Sequence, residues 1–375
     1  MVRSPEKENI LVAMSGGVDS SVAAALLIKE GHSVEGVYVR TWENEEDILS
    51  DCPGAKDLAD AREVAERLGI PLRVVNFVDF YYRNVVDPMV QGYAQGITPN
   101  PDILCNRKMK FGALLDYARQ ERFDALATGH YCQRKVNPDG RAELWEGKDK
   151  NKDQSYFLAQ LSQEQLEHAR FPLGQMDKSK VREFARSAGL GVAEKKDSQG
   201  ICFLGKVKVP QFLSQFIEDS PGEIVTTDGK VVGTHLGLHR YTLGQRKGIG
   251  VPSNTDYEKF VVTGKESSSN RLIVAFDRST ETSLWGNLFG LEKMQFLCPV
   301  LAKSAKLELL AKARYRDPST PVSVTLKEED KWLVTFKEAQ RALTPGQVLA
   351  LYRGEQLVAS GVYSLSLLGR AAISS

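Results

Sequence analysis

The sequence predicts an α/β protein. A mainly parallel sheet covered by helices comes first, then a small central domain, then an all-β terminal domain closed into a small barrel. Three observations predict it. An apolar run, Ile10 to Met14, leads through Ser15-Gly16-Gly17-Val18-Asp19-Ser20 into a helical stretch, Ser21 to Glu30. Strand-like and helix-like runs then alternate as far as residue 205, the pattern of a parallel sheet with both faces covered. From residue 285 onward only strand-like runs with turn signals remain. These breaks place the domains at residues 1–210, 211–283 and 284–375.

Taken in order, Ser33 to Val39 is valine-rich and reads as the second strand. Trp42 to Ser50 is acidic and reads as a loop. Ala55 to Leu68 carries Leu58, Ala61, Val64, Ala65 and Leu68 at helical spacing, with Gly69 as its cap. Ile70 to Val78 is the third strand and Tyr81 to Gln95 a helix. Thr98 to Arg107 reads as a proline-containing loop. Met109 to Glu121 is a helix with Phe111, Leu114, Leu115 and Ala118 on one side, and Ala125 to Thr128 a fourth strand ending at Gly129-His130. Lys178 to Ala188 is a helix closed by Gly189. Glu223 to Val232 reads as a hairpin around Asp228-Gly229, and Phe260 to Thr263 with Leu272 to Phe276 as a second. Val322 to Leu326, Trp332 to Phe336, Val348 to Tyr352 and Leu357 to Val362 are terminal-domain strands.

Composition bounds the function. The chain has 375 residues, enough for two or three domains, with 42% hydrophobic and 26% charged residues, as in an ordinary globular protein. No apolar run approaches the roughly 20 residues that span a bilayer. Met1 to Asn9 resembles neither a signal nor a transit peptide, so a cytoplasmic enzyme without membrane contact is expected. Net charge is +1, so any nucleic acid must be met by local patches, such as Lys148/Lys150/Lys152 or Lys312/Arg314/Arg316. The five cysteines, Cys52, Cys105, Cys132, Cys202 and Cys298, are odd in number and widely spaced, without C-x-x-C. That argues against a disulfide framework and a zinc ribbon, and makes most of them buried thiols.

The glycine stretch carries the first chemistry. Two adjacent glycines let the backbone turn sharply and approach a ligand, while Ser15, Ser20, Ser21 and the start of the next helix supply donors. Such a combination binds phosphate. It is neither G-x-x-x-x-G-K-[ST] nor G-x-G-x-x-G. Its spacing resembles the pyrophosphate loop of enzymes that split ATP into AMP and pyrophosphate, where the acidic residue, here Asp19, accompanies magnesium.

Two further segments carry cysteines. In Thr98-Pro99-Asn100-Pro101-Asp102-Ile103-Leu104-Cys105-Asn106 the prolines stiffen the chain, Asp102 is near enough to serve as a local acid or base, and Arg107, Lys108 and Lys110 would favour a thiolate. In Lys195-Lys196-Asp197-Ser198-Gln199-Gly200-Ile201-Cys202-Phe203, Cys202 lies among polar and basic residues beside a glycine. Taken singly, each segment also reads as a rigid loop or short strand with a structural cysteine.

Together these segments, with Ala127 to Tyr131, Asn151 to Phe157, Leu243 to Gly248, Arg314-Tyr315-Arg316 and Leu343 to Gln347, resemble the tRNA-specific 2-thiouridylase family in register from residue 8 to residue 362. The resemblance implies an ATP-pyrophosphatase domain of Rossmann-like, adenine nucleotide α-hydrolase-like fold, followed by the central domain and the tRNA-binding barrel. It implies that ATP adenylates the 2-oxygen of the wobble uridine and that sulfur from a cysteine persulfide then replaces AMP. Carried over residue by residue, Ala13, Met14, Ser15, Gly16, Gly17, Val18, Asp19, Ser20, Val39 and Gly129 would bind ATP, with Asp19 toward Mg2+. Val39 stands where the family has methionine, a contact made largely through backbone. Asn100, Pro101 and Asp102 would meet the target base. Cys202 would carry the persulfide, and Cys105 would be the nucleophilic or resolving cysteine, with Asp102 beside it. His130, Lys152, Asp153, Gln154, Arg314, Tyr315 and Gln347 would contact tRNA. The implied partners are tRNAs, those for Glu, Gln and Lys, and a persulfide donor, either a cysteine desulfurase or a relay protein.

Uracil's carbonyl is a poor electrophile, so activation by ATP is chemically required, and a persulfide needs an accessible thiolate. The rival readings are an amide-forming ligase with the same glycine loop, which would need no cysteine pair, an iron–sulfur thiolase, weakened by the missing C-x-x-C, and a non-catalytic tRNA-binding protein.

Overall fold

Ile10, Leu11 and Val12 are all wholly buried, so the strand that carries them, β1 (Asn9–Ala13), has no solvent face and must be central. The computed structural model describes residues 7–42, 53–197, 208–252, 258–278, 283–328 and 330–364. β1 pairs in parallel with β2 (Ser33–Arg40), which pairs with β3 (Leu72–Asn76). On its other side β1 pairs with β4 (Ala125–Ala127). The sheet order is β3-β2-β1-β4-β7, β7 being Ala169–Arg170. The chain therefore builds outward on one side of β1 and then returns to the other. A crevice opens at the carboxyl ends where the order reverses, between β1 and β4.

The helix α1 (Val18–Lys29) covers one face of this sheet. Its Val22, Ala23 and Ala24 are fully buried, and the small alanines let its backbone sit close to the strands. α2 (Pro53–Leu68) contributes Leu58, Ala61, Val64 and Ala65 to the same core, as the spacing predicts. The expected acidic loop at Trp42 to Ser50 lies, from residue 43 onward, outside the described residues.

One expectation is corrected. Thr98 to Arg107 is not a loop throughout: Pro101–Leu104 is helical and continues through a wider, π-helical stretch, Cys105–Leu114, into Leu115–Gln120. Pro101 stands at the helix start, where a missing N–H costs nothing. Asn100 caps it, its side-chain oxygen accepting from the Ile103 N–H at 3.1 Å. The proline that reads as a breaker is therefore a starter.

A second difference concerns the barrel. β5 (Cys132–Val136) and β6 (Ala142–Glu146) form a hairpin inside the first domain's sequence. Residues 211–283 contain the two expected hairpins, β8 (Gly222–Thr226) with β9 (Val231–His235) and β10 (Phe260–Glu266) with β11 (Arg271–Phe276), joined in the order β10-β11-β8-β9. The last part supplies β12 (Trp285–Phe296), β13 (Lys306–Lys312), β14 (Thr320–Glu328), β15 (Lys331–Arg341), β16 (Val348–Arg353) and β17 (Gln356–Tyr363). Their order is β12-β15-β14-β13-β16-β17, and β12 also pairs with β17, so the barrel closes and leaves no edge along this ring. β6 then adds to the start of β17 through Leu144 opposite Leu357. One core consequently runs from Leu11 and Leu126 of the parallel sheet to Val348, Ala350 and Tyr352 of the barrel.

Candidate functional site

The glycine loop fills the crevice between β1 and β4. Gly16 has φ +70°, and a Cβ there would lie 2.2 Å from the Asp57 carbonyl oxygen, so only glycine fits. Gly17 is extended (φ −99°, ψ 163°) and opens α1 with no side-chain cap. The N–H groups of that first turn are thereby left for a ligand. The hydroxyls organise the loop itself: the Ser15 N–H donates to Ser20 Oγ at 3.2 Å, and Ser21 Oγ donates to the Gly17 carbonyl at 2.8 Å. From β4, Gly129 presses on the same turn, and a Cβ there would lie 2.7 Å from the Ser20 nitrogen. Ala13 and Met14 lead into the loop, Met14 N–H donating to the Val37 carbonyl at 2.8 Å. Val39 lies near the carboxyl end of the neighbouring β2. The ten residues expected to bind ATP are thus gathered on three adjacent strand ends. Gly16 and Gly129 let the backbone of Asp57 and of Asp19 and Ser20 pack directly against this turn.

Asp19 is held from two sides. Tyr131 donates its hydroxyl at 2.6 Å, and Lys178 donates at 2.7 and 2.8 Å to the two carboxylate oxygens. Burial first, and then Asp19, push the Tyr131 phenol far up, so it stays a donor. Lys178 also pairs with Asp197 at 2.8 Å, which Lys152 (2.8 Å) and Arg182 (2.9 Å) join. Burial alone would raise the Asp197 carboxyl, but the bonds from Lys152 and Lys178 hold it at about 2. On the loop's other flank Lys195 donates to the Gly16 carbonyl at 2.9 Å and pairs with Asp57 and Asp60. Sequence reasoning missed Tyr131, Lys178, Asp57 and Asp60. For Lys178 a signal existed: a lysine opening a helix (Lys178–Ser187) opposes the helix dipole and asks for a reason.

The chain matches three family descriptions end to end: a tRNA methyl transferase HUP domain over residues 8–206, a tRNA methyl transferase PRC-barrel domain over 210–276, and an aminomethyltransferase β-barrel domain over 287–362. Three curated relatives, each named a tRNA-specific 2-thiouridylase MnmA, match nearly the whole chain. That of Akkermansia muciniphila is 46% identical, covering 94% of this chain and 98% of its own. Those of Ligilactobacillus salivarius and Pseudomonas savastanoi pv. phaseolicola are 44% and 42% identical, covering 94% and 96% of this chain and 94% and 95% of theirs. The chain belongs to the tRNA-specific 2-thiouridylase family, a family of tRNA sulfurtransferases. A solved U34-tRNA thiolase NcsA from Methanococcus maripaludis is 19% identical at TM-score 0.33, covering 57% of this chain and 69% of its own.

Other residues that resemblance to the 2-thiouridylases marks out fall into two groups. Asn100, Pro101 and Asp102 form the first turn of the helix that leads to Cys105; Pro101 is buried and Asp102 half-buried. Above them, Gln347 of the barrel donates to the Thr98 carbonyl at 2.7 Å, and the Thr98 N–H donates to the Pro345 carbonyl at 2.9 Å. Arg314 donates to the carbonyls of Arg341 (2.7 Å) and Ala342. Thr98, Thr242, Gly244, Arg314, Arg341 and Gln347 line one cleft of about 260 Å³ where all three parts of the chain meet. Tyr315 packs on Phe157 with ring centroids 4.3 Å apart.

The second group is structural in its contacts. Asp153 is buried and accepts from the Gly147 N–H at 2.9 Å and from Ser155, while Lys312 of the barrel reaches it at 3.2 Å. Gln154 Oε1 accepts from the Tyr131 N–H at 3.0 Å. His130 is buried against Phe111 and Phe171, 2.6 Å from Thr128 Oγ1. Burial, with Lys110 nearby, lowers His130 well below the usual imidazole range, so its ring is neutral and turned inward.

Cys105 is only 2% exposed and packs in an apolar cluster with Tyr81, Val85, Met89, Met109 and Phe212. Of the basic residues expected to favour its thiolate, Arg107 donates to Gln160 Oε1 at 3.1 Å and Lys108 is exposed. Cys202 lies outside the described residues, as do Ser198 to Phe203 of its motif. The described chain on either side of residues 198–207 is nevertheless anchored. Asp197 is tied to Lys178 beside the glycine loop, and the helix Val209–Leu213 packs Phe212 and Leu213 into the Cys105 cluster. Cys132 is wholly buried, its thiol pushed well up by burial, as expected of an inert cysteine. Among the described residues no group of His, Cys, Asp and Glu is arranged to hold a metal ion by itself, and no helix is long and apolar enough to cross a membrane.

Proposed function

We propose that this chain replaces the 2-oxygen of a wobble uridine in tRNA by sulfur, using ATP to adenylate the base and a cysteine persulfide as sulfur carrier. The observation that supports it most is where the described chain on either side of residues 198–207 is held. One flank is bonded into the Asp19 network of the pyrophosphate loop and the other is packed on Cys105. In the sequence the Cys202 motif so lies between a segment held at the activating loop and one held at the Cys105 thiol. On this reading residues 1–210 hold ATP and both thiols, residues 211–283 form a small central domain, and residues 284–375 hold the tRNA, in the cytoplasm.

Ser15 to Ser20, Ala13, Met14, Val39 and Gly129 would cradle the nucleotide. A single carboxylate plus phosphate oxygens is a donor set that magnesium accepts, so Asp19 fits it; bound there, the ion would draw charge from the pyrophosphate. The uracil 2-oxygen attacks the α-phosphorus and pyrophosphate leaves. The terminal sulfur on Cys202 attacks C2 and AMP leaves, giving a C2–S–S–Cys202 link. The Cys105 thiolate attacks the Cys202 sulfur, both electrons of the S–S bond pass to the sulfur on the base, and a Cys105–Cys202 disulfide remains for an external thiol to reduce. If Cys105 instead strips sulfide from the persulfide first, the same disulfide forms earlier. Asn100 to Asp102 would meet the base, and a base displaced from an anticodon loop costs little to splay out.

The test is mass spectrometry of nucleosides from tRNA incubated with the protein, ATP and a persulfide donor. 2-Thiouridine that depends on all three is expected. ATP cleavage indifferent to tRNA, with no thiolated nucleoside, would overturn the proposal in favour of an amide-forming ligase.

A further inference from the structure

Lys178 is 12% exposed, its ammonium held between Asp19 and Asp197 and lying 5.6 Å from the Tyr131 ring. It opens its helix against the dipole, although Asp177 stands at the N-cap and the Asp149 carboxylate accepts from the Lys178 N–H at 3.1 Å. A lysine so placed has unfavourable helix electrostatics and unfavourable desolvation, so the site around it must supply the offset. Asp19 and Asp197 supply that offset, and Asp197 is shared with Lys152 and Arg182.

We infer that Lys178 is a nucleotide-binding residue of the adenylation step, its ammonium passing from Asp19 to the triphosphate when ATP enters the glycine loop, with Asp197 as the carboxylate that stores it meanwhile. This rests on the reading of the loop as an ATP site. A cation arriving at Asp19 with the nucleotide would stand within a few ångströms of an ammonium 2.7 Å from the same carboxylate, and like charges at that range repel. The ammonium therefore leaves Asp19. Asp197 already accepts from Lys152 and Arg182, so the uncompensated negative charge within reach is the polyphosphate. The four-carbon stem lets the ammonium move with Lys178 still anchored in its helix.

The experiment is calorimetric titration of the full chain with ATP and magnesium, each variant first shown folded by thermal melting. Lys178→Met should weaken binding by about 10- to 100-fold, the loss of a charge-assisted contact. Lys178→Arg should stay within about threefold of wild type. Asp197→Asn should bind no more weakly than wild type, because the stored ammonium is released. A purely structural tie predicts instead that Asp197→Asn and Lys178→Met weaken binding alike, and that result overturns the inference, as does Lys178→Met within about threefold of wild type. Should Lys178→Met not fold, the arginine and asparagine variants decide by the same criteria. A wild-type chain that binds no ATP would overturn the loop assignment itself and is seen in the control.

Discussion

Gln347 Nε2 donates to the Thr98 carbonyl at 2.7 Å across 249 residues of chain, clamping the barrel to the stretch that leads into the Asn100 helix. Gly346, at φ +88°, brings the barrel loop so close that a Cβ would lie 3.1 Å from the same carbonyl. Gln347→Ala leaves a part-buried carbonyl short of its donor and should cost about 1 kcal/mol of stability. The larger effect should be on tRNA: weaker binding by several-fold with ATP affinity unchanged, measured by filter binding and calorimetry. Equal weakening of both ligands would show that the clamp acts on the whole fold and not on the cleft.

The two loop glycines should behave differently. A Cβ on Gly16 meets the Asp57 carbonyl at 2.2 Å in a left-handed conformation, whereas one on Gly17 finds only Ser15 Oγ at 3.4 Å. Gly16→Ala should therefore lower stability by about 1–3 kcal/mol and with it ATP binding. Gly17→Ala should unfold within about 0.5 kcal/mol of wild type. Urea midpoints of the two variants check this, and parity between them would mean that the loop adjusts freely.

Much of this site was legible in the sequence, because strand, glycine pair and helix are local features and the reversal of strand order puts their neighbours beside them. Val39 and Gly129 could be placed at strand ends for the same reason. What was not legible is tertiary or context-dependent. Pro101 looks like a breaker until Asn100 is seen to cap the helix it begins. Cys132 to Glu146 reads as part of the first domain, yet its hairpin finds its partner in β17, more than two hundred residues later, because Leu144 and Leu357 share one core. Lys178 is one lysine among many until Asp19 and Asp197 are brought to it.

Acid should destabilise the fold. His130, His235 and His239 all lie below the usual imidazole range, burial being the first cause in each. His239 is faced by Arg240, Asp219, Lys265 and His235, of which only Asp219 opposes the shift, and His235 Nε2 donates to the Asn270 carbonyl at 3.0 Å. A histidine whose folded value is depressed is neutral in the fold and protonated on unfolding. Its stabilisation is complete above the unfolded value near 6.5 and is lost as pH falls through the folded one. Lys265 is pushed down to about 8, so its contribution grows instead as pH rises from about 8 toward its unfolded value. The urea midpoint should thus fall on acidification from pH 7 to pH 5. A flat profile would mean that these rings are not buried in solution.

Salt should weaken tRNA binding steeply although the net charge is only +1. Arg316 is exposed and rests 5.3 Å from the Tyr315 ring, poised for phosphate, while Arg314 holds the Arg341 and Ala342 carbonyls. Arg316→Ala should reduce the slope of log K against log salt by about one phosphate contact, or 0.7–0.9. Arg314→Ala should weaken binding mainly by displacing the turn that lines the cleft, with less change in slope. Dissociation constants over a range of potassium chloride separate the two effects.

The cysteines give the last prediction. Cys105 is 2% exposed among Tyr81, Met89 and Phe212, so it should alkylate slowly in the protein alone. It can attack a sulfur on Cys202 only if that cluster opens, and the helix Val209–Leu213, which packs Phe212 and Leu213 into the cluster, is the element placed to open it. Added ATP and tRNA should therefore speed alkylation of Cys105, read by mass spectrometry of the peptide. Cys202→Ser should accept no labelled sulfur. Cys105→Ser should load it at Cys202 but complete no turnover without added thiol. Both variants should still release pyrophosphate with tRNA, because the phosphate cradle contains neither thiol. The wild type, turned over without reductant, should trap a Cys105–Cys202 disulfide, which requires their Cα atoms to come within about 7 Å. Wild-type thiolation rates in Cys202→Ser would refute the persulfide route, whatever the alkylation pattern of Cys105.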